Sequence, residues 1–90
     1  MTLCESLAIN LKYYRKKYNL SQEKFAVVIG TSLSYLNQIE NLKVNVRLKT
    51  VDKFAENLKK YDPKTKVTAT DFLTYNKDHI ILYSRVDEKK

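Results

Sequence analysis

Ser21-Gln22-Glu23-Lys24-Phe25-Ala26-Val27-Val28-Ile29-Gly30-Thr31-Ser32-Leu33-Ser34-Tyr35-Leu36-Asn37-Gln38-Ile39-Glu40-Asn41 is the stretch on which the fold turns. It reads as two short helices joined by a tight turn. Ser21 is a helix N-cap, with Lys24 standing where a capping box would place an acid, so the cap is half of that motif. Phe25, Ala26 and Ile29 share one helical face and form the apolar side of the first helix. Gly30, the only glycine in the chain, sits where that helix ends and supplies a left-handed backbone position that a side chain would strain. Thr31 or Ser32 caps the next helix, whose apolar positions are Leu36 and Ile39, with Leu33 a further candidate.

Two crossed helices with a small residue at the crossing and a polar outer helix make a helix-turn-helix. A plain helical hairpin with a solvated outer face would fill that face with Lys and Glu. Between Ser32 and Gln38 there is no charge, and amide and hydroxyl groups are the ones that read base edges.

The stretch resembles the phage-repressor-like (Cro-type, XRE-type) helix-turn-helix proteins. The residues that carry the resemblance run from Leu11, Tyr14 and Arg15 through Leu20-Ser21-Gln22, Phe25-Ala26 and Gly30 to Tyr35-Leu36 and Ile39-Glu40. They continue to Leu48, Val51 and Ala55 to Leu58, so the resemblance covers about 7–58, more than half the chain. It implies a compact, mainly α, lambda-repressor-like bundle of four or five helices that binds operator DNA, usually as a dimer. It also implies that Arg15 pairs with Glu40 as a structural, partly buried ion pair. Residues Leu33, Ser34, Asn37 and Gln38 would reach the major groove, with Gln22 touching DNA from the start of the preceding helix. The chain departs from its relatives at Leu42, where they usually carry glycine, at Val46, often a proline there, and at Leu33, usually polar.

Ninety residues suffice for one domain with a tail. Seventeen Lys and Arg against ten Asp and Glu give a net charge of +7, which favours an anionic partner. No apolar run approaches the length of a membrane span, and no basic-then-apolar leader stands at the N-terminus. A cytoplasmic protein without membrane contact is expected. One cysteine, Cys4, excludes a disulfide framework, and with a single histidine there is no zinc set and no implied cofactor.

Leu3, Leu7, Leu11, Tyr14 and Tyr18 define an amphipathic helix over 3–18. Lys12, Lys16 and Lys17 occupy its opposite face, and Asn19 ends it in a left-handed turn. In the connector 41–47, Asn41 is the residue expected to take a positive φ. Leu48, Val51, Phe54, Ala55 and Leu58 predict a helix over 47–60, stopped by Pro63. The segment 67–73 reads as a capped helical turn returning Phe72 and Leu73 to the core. The helical domain thus occupies 1–75. The remainder, 76–90, reads as a tail whose segment His79 to Val86 is a β-strand. A lone strand needs a partner, and a second copy can supply one, making Ile80, Ile81, Leu82 and Tyr83 the dimerisation residues. His79 is an ordinary strand-end residue in this reading.

These features predict a sequence-specific regulator of transcription, a repressor acting on a palindromic duplex operator as a homodimer, and not an enzyme. The alternative is an antitoxin-type protein-interaction module with autoregulatory DNA binding. Bases would be read by Gln22, Leu33, Ser34, Asn37 and Gln38, with Leu33 suited to a thymine methyl. Phosphates would be held by the helix N-termini at Ser21 and Ser32 and by Tyr35, Lys43 and Arg47, with Lys49 beside them.

Overall fold

The computed structural model describes residues 2–79 and is a bundle of five helices. They are α1 (Leu3–Lys17), α2 (Gln22–Ile29), α3 (Leu33–Glu40), α4 (Leu48–Tyr61) and α5 (Ala69–Leu73). Helix α1 packs against α3 and α5, α2 against α3 and α4, and α4 against α5. The core holds Leu7, Leu11, Phe25, Ala26, Ile29, Leu36, Ile39, Val51, Phe54, Ala55, Leu58, Val67 and Phe72. The helical periodicities therefore bury the faces they predict, except at two ends. Leu3 and Leu48 stand 61% and 65% exposed, each at the first position of its helix.

Capping explains where the helices start. Ser21 accepts from the Lys24 amide at 3.1 Å and Ser32 from the Tyr35 amide at 3.0 Å. Complete capping boxes open α1 (Thr2 with Glu5) and α5 (Thr68 with Asp71). Three helices end alike, in a left-handed residue flanked by two backward hydrogen bonds. These residues are Asn19 (φ 56), Gly30 (φ 79) and Leu42 (φ 60). Asn19 and Gly30 match expectation; Asn41 does not. Its φ is −102, and the positive φ falls one residue later, on Leu42. The Lys43 amide reaches Gln38 O at 2.9 Å and the Leu42 amide reaches Ile39 O at 3.1 Å. That pair of bonds places the reversal after Asn41. Val44 and Val46, packed against the core, then anchor the connector.

The expected strand is corrected at its first residue. His79 lies in a helical turn over 77–79, and the fold holds no strand among the described residues. The rest of the strand expectation, with Ile80, Ile81, Leu82 and Tyr83, lies outside the described residues.

What holds His79 is a buried amide. Asn10, 1% exposed, donates to the carbonyls of Asp71, Phe72 and Thr74 at 3.0, 2.7 and 2.9 Å. This turns its Oδ1 toward His79 Nδ1, 2.7 Å away, so the neutral ring carries its proton on Nδ1. The imidazole also stacks on Tyr13, centroids 3.6 Å apart. Burial pushes the His79 pKa below the usual 6.5, with Asp78 opposing and Lys17 reinforcing the shift. The unfolded chain then binds more protons in the window just under 6.5, so stability is full above that pH and falls as pH drops through the window. An NMR titration of the His79 ring should give a midpoint below 6.5, and exchange of the 77–79 amides should quicken as the ring protonates. A midpoint at or above the usual value would mean that burial does not govern the titration of this ring.

Candidate nucleic-acid interface

Helix α3 turns Leu36 and Ile39 inward and leaves Leu33, Ser34, Asn37 and Gln38 exposed. With Gln22 and Lys43, these four residues line one shallow surface depression. The structure thus brings all five expected base-reading residues together beside one expected phosphate contact. Ser21 and Ser32 are exposed at the N-termini of α2 and α3. Their hydroxyl oxygens accept the cap hydrogen bonds, which leaves each O–H available as a donor.

Two residues stand elsewhere. Arg47 precedes α4 without a side-chain cap bond and borders a different depression, with Lys49, Thr50, Asp52, Lys53 and Glu56. Three cations and two acids line that surface, which stands apart from the one beside Lys43. Tyr35 is half-buried and packs against the core.

Behind the depression lies a continuous polar chain. Arg15 meets Glu40 in a fork, Nε to Oε2 and Nη2 to Oε1, both at 3.1 Å. Gln22 Nε2 donates to the same Glu40 Oε1 at 3.0 Å. Asn37 Nδ2 donates to Gln22 Oε1 at 3.4 Å. Asn41 Nδ2 closes the chain, reaching Asn37 Oδ1 at 3.2 Å and the Asn37 backbone carbonyl at 2.8 Å. The charged pair is almost fully buried, its side chains 6% and 3% exposed. Among the described residues no buried side-chain nitrogen or oxygen lacks a partner, which is the condition for such a pair to persist in a small core.

A second cleft opens along this chain, lined by Lys12, Arg15, Ser21, Gln22, Asn37, Glu40 and Asn41. Lys12 and Asn41 were not singled out from sequence as interface residues. The signals were there in spacing: Lys12 precedes Arg15 by three residues and Asn41 follows Asn37 by four, so each pair shares a helical face.

A helical fold of this kind has known counterparts. A family model described as Helix-turn-helix matches residues 11–64, more than half the chain. The control protein C.SmaI of Serratia marcescens is 38% identical over 64 residues, spanning 71% of this chain and 76% of that protein. A solved structure of a hypothetical transcription factor, NHTF, from Neisseria aligns with a TM-score of 0.69 at 26% identity, covering 89% of this chain and 84% of that one. No helix among the described residues is long and apolar enough to cross a membrane. The chain belongs to the helix-turn-helix family of DNA-binding transcription regulators.

Proposed function

We propose that this protein is a repressor that binds a palindromic operator in duplex DNA as a homodimer, with α3 lying in the major groove. The observation that carries this reading is the depression formed by Gln22, Leu33, Ser34, Asn37 and Gln38 beside Lys43. Its hydrogen-bonding groups are amides and a hydroxyl, of the kind that pair with base edges, and a cation beside them suits a phosphate. An eight-residue helix is about 12 Å long and reaches only a few base pairs. A second copy is the simplest way to gain the rest of a specific site. Repression needs nothing beyond occupancy of the operator, whereas activation requires a further contact with the transcription machinery. A cytoplasmic location is part of this proposal. The antitoxin-type alternative rests on the tail, which lies outside the described residues.

Selection of bound sequences from random duplex DNA tests the reading. The expected product is an inverted repeat whose half-sites lie about one DNA turn, roughly 34 Å, apart. Asn37→Ala and Gln38→Ala should each relax preference at one base pair per half-site by about 1–3 kcal/mol, while thermal unfolding stays unchanged because both side chains are exposed. If both variants select the wild-type sequence, α3 does not read bases through this face.

Lys43 should behave differently. Lys43→Ala is expected to weaken binding to all sequences alike and to reduce the slope of log K against log salt by about one per subunit. An unchanged slope would place Lys43 away from the phosphates.

A further inference from the structure

We infer that Asn41 is a positioning residue for base recognition: it holds the Asn37 side-chain amide in one of its two possible orientations and so lets this chain distinguish an A·T base pair from T·A. This inference rests on the reading of Asn37 as a base-contacting residue.

An amide side chain can be flipped, and its oxygen and nitrogen are told apart by their partners. Here both ends of the polar chain are unambiguous. At one end the Asn37 backbone carbonyl can only accept, and it lies 2.8 Å from Asn41. Asn41 must therefore present Nδ2 on that side. The same Nδ2 lies 3.2 Å from the Asn37 side chain, which must answer with Oδ1. At the other end the Glu40 carboxylate, already forked on Arg15, accepts from Gln22 Nε2 at 3.0 Å. Gln22 therefore turns Oε1 toward Asn37, which must answer with Nδ2, 3.4 Å away. The two ends demand the same Asn37 orientation independently.

The Asn41 contact, at 3.2 Å, is the shorter of the two on the Asn37 amide, so without it the amide is held only by the longer 3.4 Å bond to Gln22. Asn37 keeps one N–H and one lone pair on Oδ1 uncommitted, which is the pair of groups that a bidentate contact with adenine N7 and N6 uses. An amide free to flip could present those groups in either order. Across the major groove, A·T and T·A show the same groups in reversed order. A fixed amide therefore prefers one of them.

Asn41 can be replaced without backbone strain, since its φ is −102. Site selection and competition binding would compare the wild type, Asn41→Ala, Asn37→Ala and the double variant. The expected result is that Asn41→Ala lowers the A·T over T·A preference at the Asn37 base pair by about tenfold, within the range set by one bidentate contact. Preferences at the other positions and the salt slope should remain as in the wild type. The double variant should show no further loss of preference beyond Asn37→Ala, because Asn41 acts through Asn37. A uniform loss of affinity for all sequences, additive with Asn37→Ala, would overturn the inference and make Asn41 a phosphate contact. An unchanged preference in Asn41→Ala, with Asn37→Ala still relaxing its position, would also overturn it while leaving the DNA-reading function intact. If the wild type selects no sequence at all, the reading of Asn37 itself fails and the inference fails with it.

Discussion

Glu40→Ala should destabilise the domain by about 3–5 kcal/mol, because it leaves the Arg15 guanidinium buried without its counter-charge. That is a large share of the roughly 5–15 kcal/mol that holds a domain together. With a urea slope of about 1–3 kcal/mol per molar, the unfolding midpoint should drop by more than about 1 M. The loss does not measure the worth of the ion pair. Replacing both partners, Arg15→Met with Glu40→Leu, removes the stranded charge and should recover most of the stability. The double variant is still expected to lose base discrimination, since Gln22 no longer has the carboxylate that orients its amide. A stable fold with blurred sequence preference would separate the structural task of Glu40 from its task at the interface. A single variant that loses less than about 1 kcal/mol would mean the pair is solvated and behaves as a surface salt bridge.

Gly30→Ala should cost about 2–3 kcal/mol, from two sources that can be separated. The first is the left-handed backbone at φ 79, which costs a residue with a Cβ about 1–2 kcal/mol. The second is crowding. A Cβ on Gly30 would come within 2.6 Å of Asn57 Nδ2, the group that donates to the Ile29 carbonyl at 2.8 Å and so caps the end of α2. Displacing Asn57 loses that bond, about 1 kcal/mol. In an Asn57→Ala background only the flexible end of Lys53, 3.3 Å away, still approaches that Cβ, and Gly30→Ala should then cost little more than the backbone strain. Equilibrium unfolding of the four chains closes this cycle, and strict additivity would show that Gly30 and Asn57 do not interact. Since Gly30 sets the angle between α2 and α3, operator affinity should fall with stability in Gly30→Ala. It should be kept in Asn57→Ala, which loses one hydrogen bond and no geometry at the turn.

What the sequence alone determined was whatever depends on neighbours along the chain. Ser21 and Ser32 cap helices because their side chains reach amides three residues on, and Asn19 and Gly30 reverse the chain because a left-handed residue is a local choice. The buried faces of α2, α3 and α4 follow from helical period, and the exposed positions of α3 that gather in the depression follow from the same period. The tertiary structure decided what depends on residues far apart. Leu3 and Leu48 satisfy the period and remain exposed because no helix among the described residues covers them. The closeness that demands a glycine at position 30 comes from Asn57 on α4 rather than from α3, which the turn motif suggested. His79, the first residue of a strand-like stretch in sequence, lies in a helical turn and meets Asn10, 69 residues earlier. The orientation of the amides on Gln22 and Asn37 is set by Glu40 and Asn41 together. Helical period puts an amide on a face; only a fixed donor or acceptor beside it decides which of its two ends points outward.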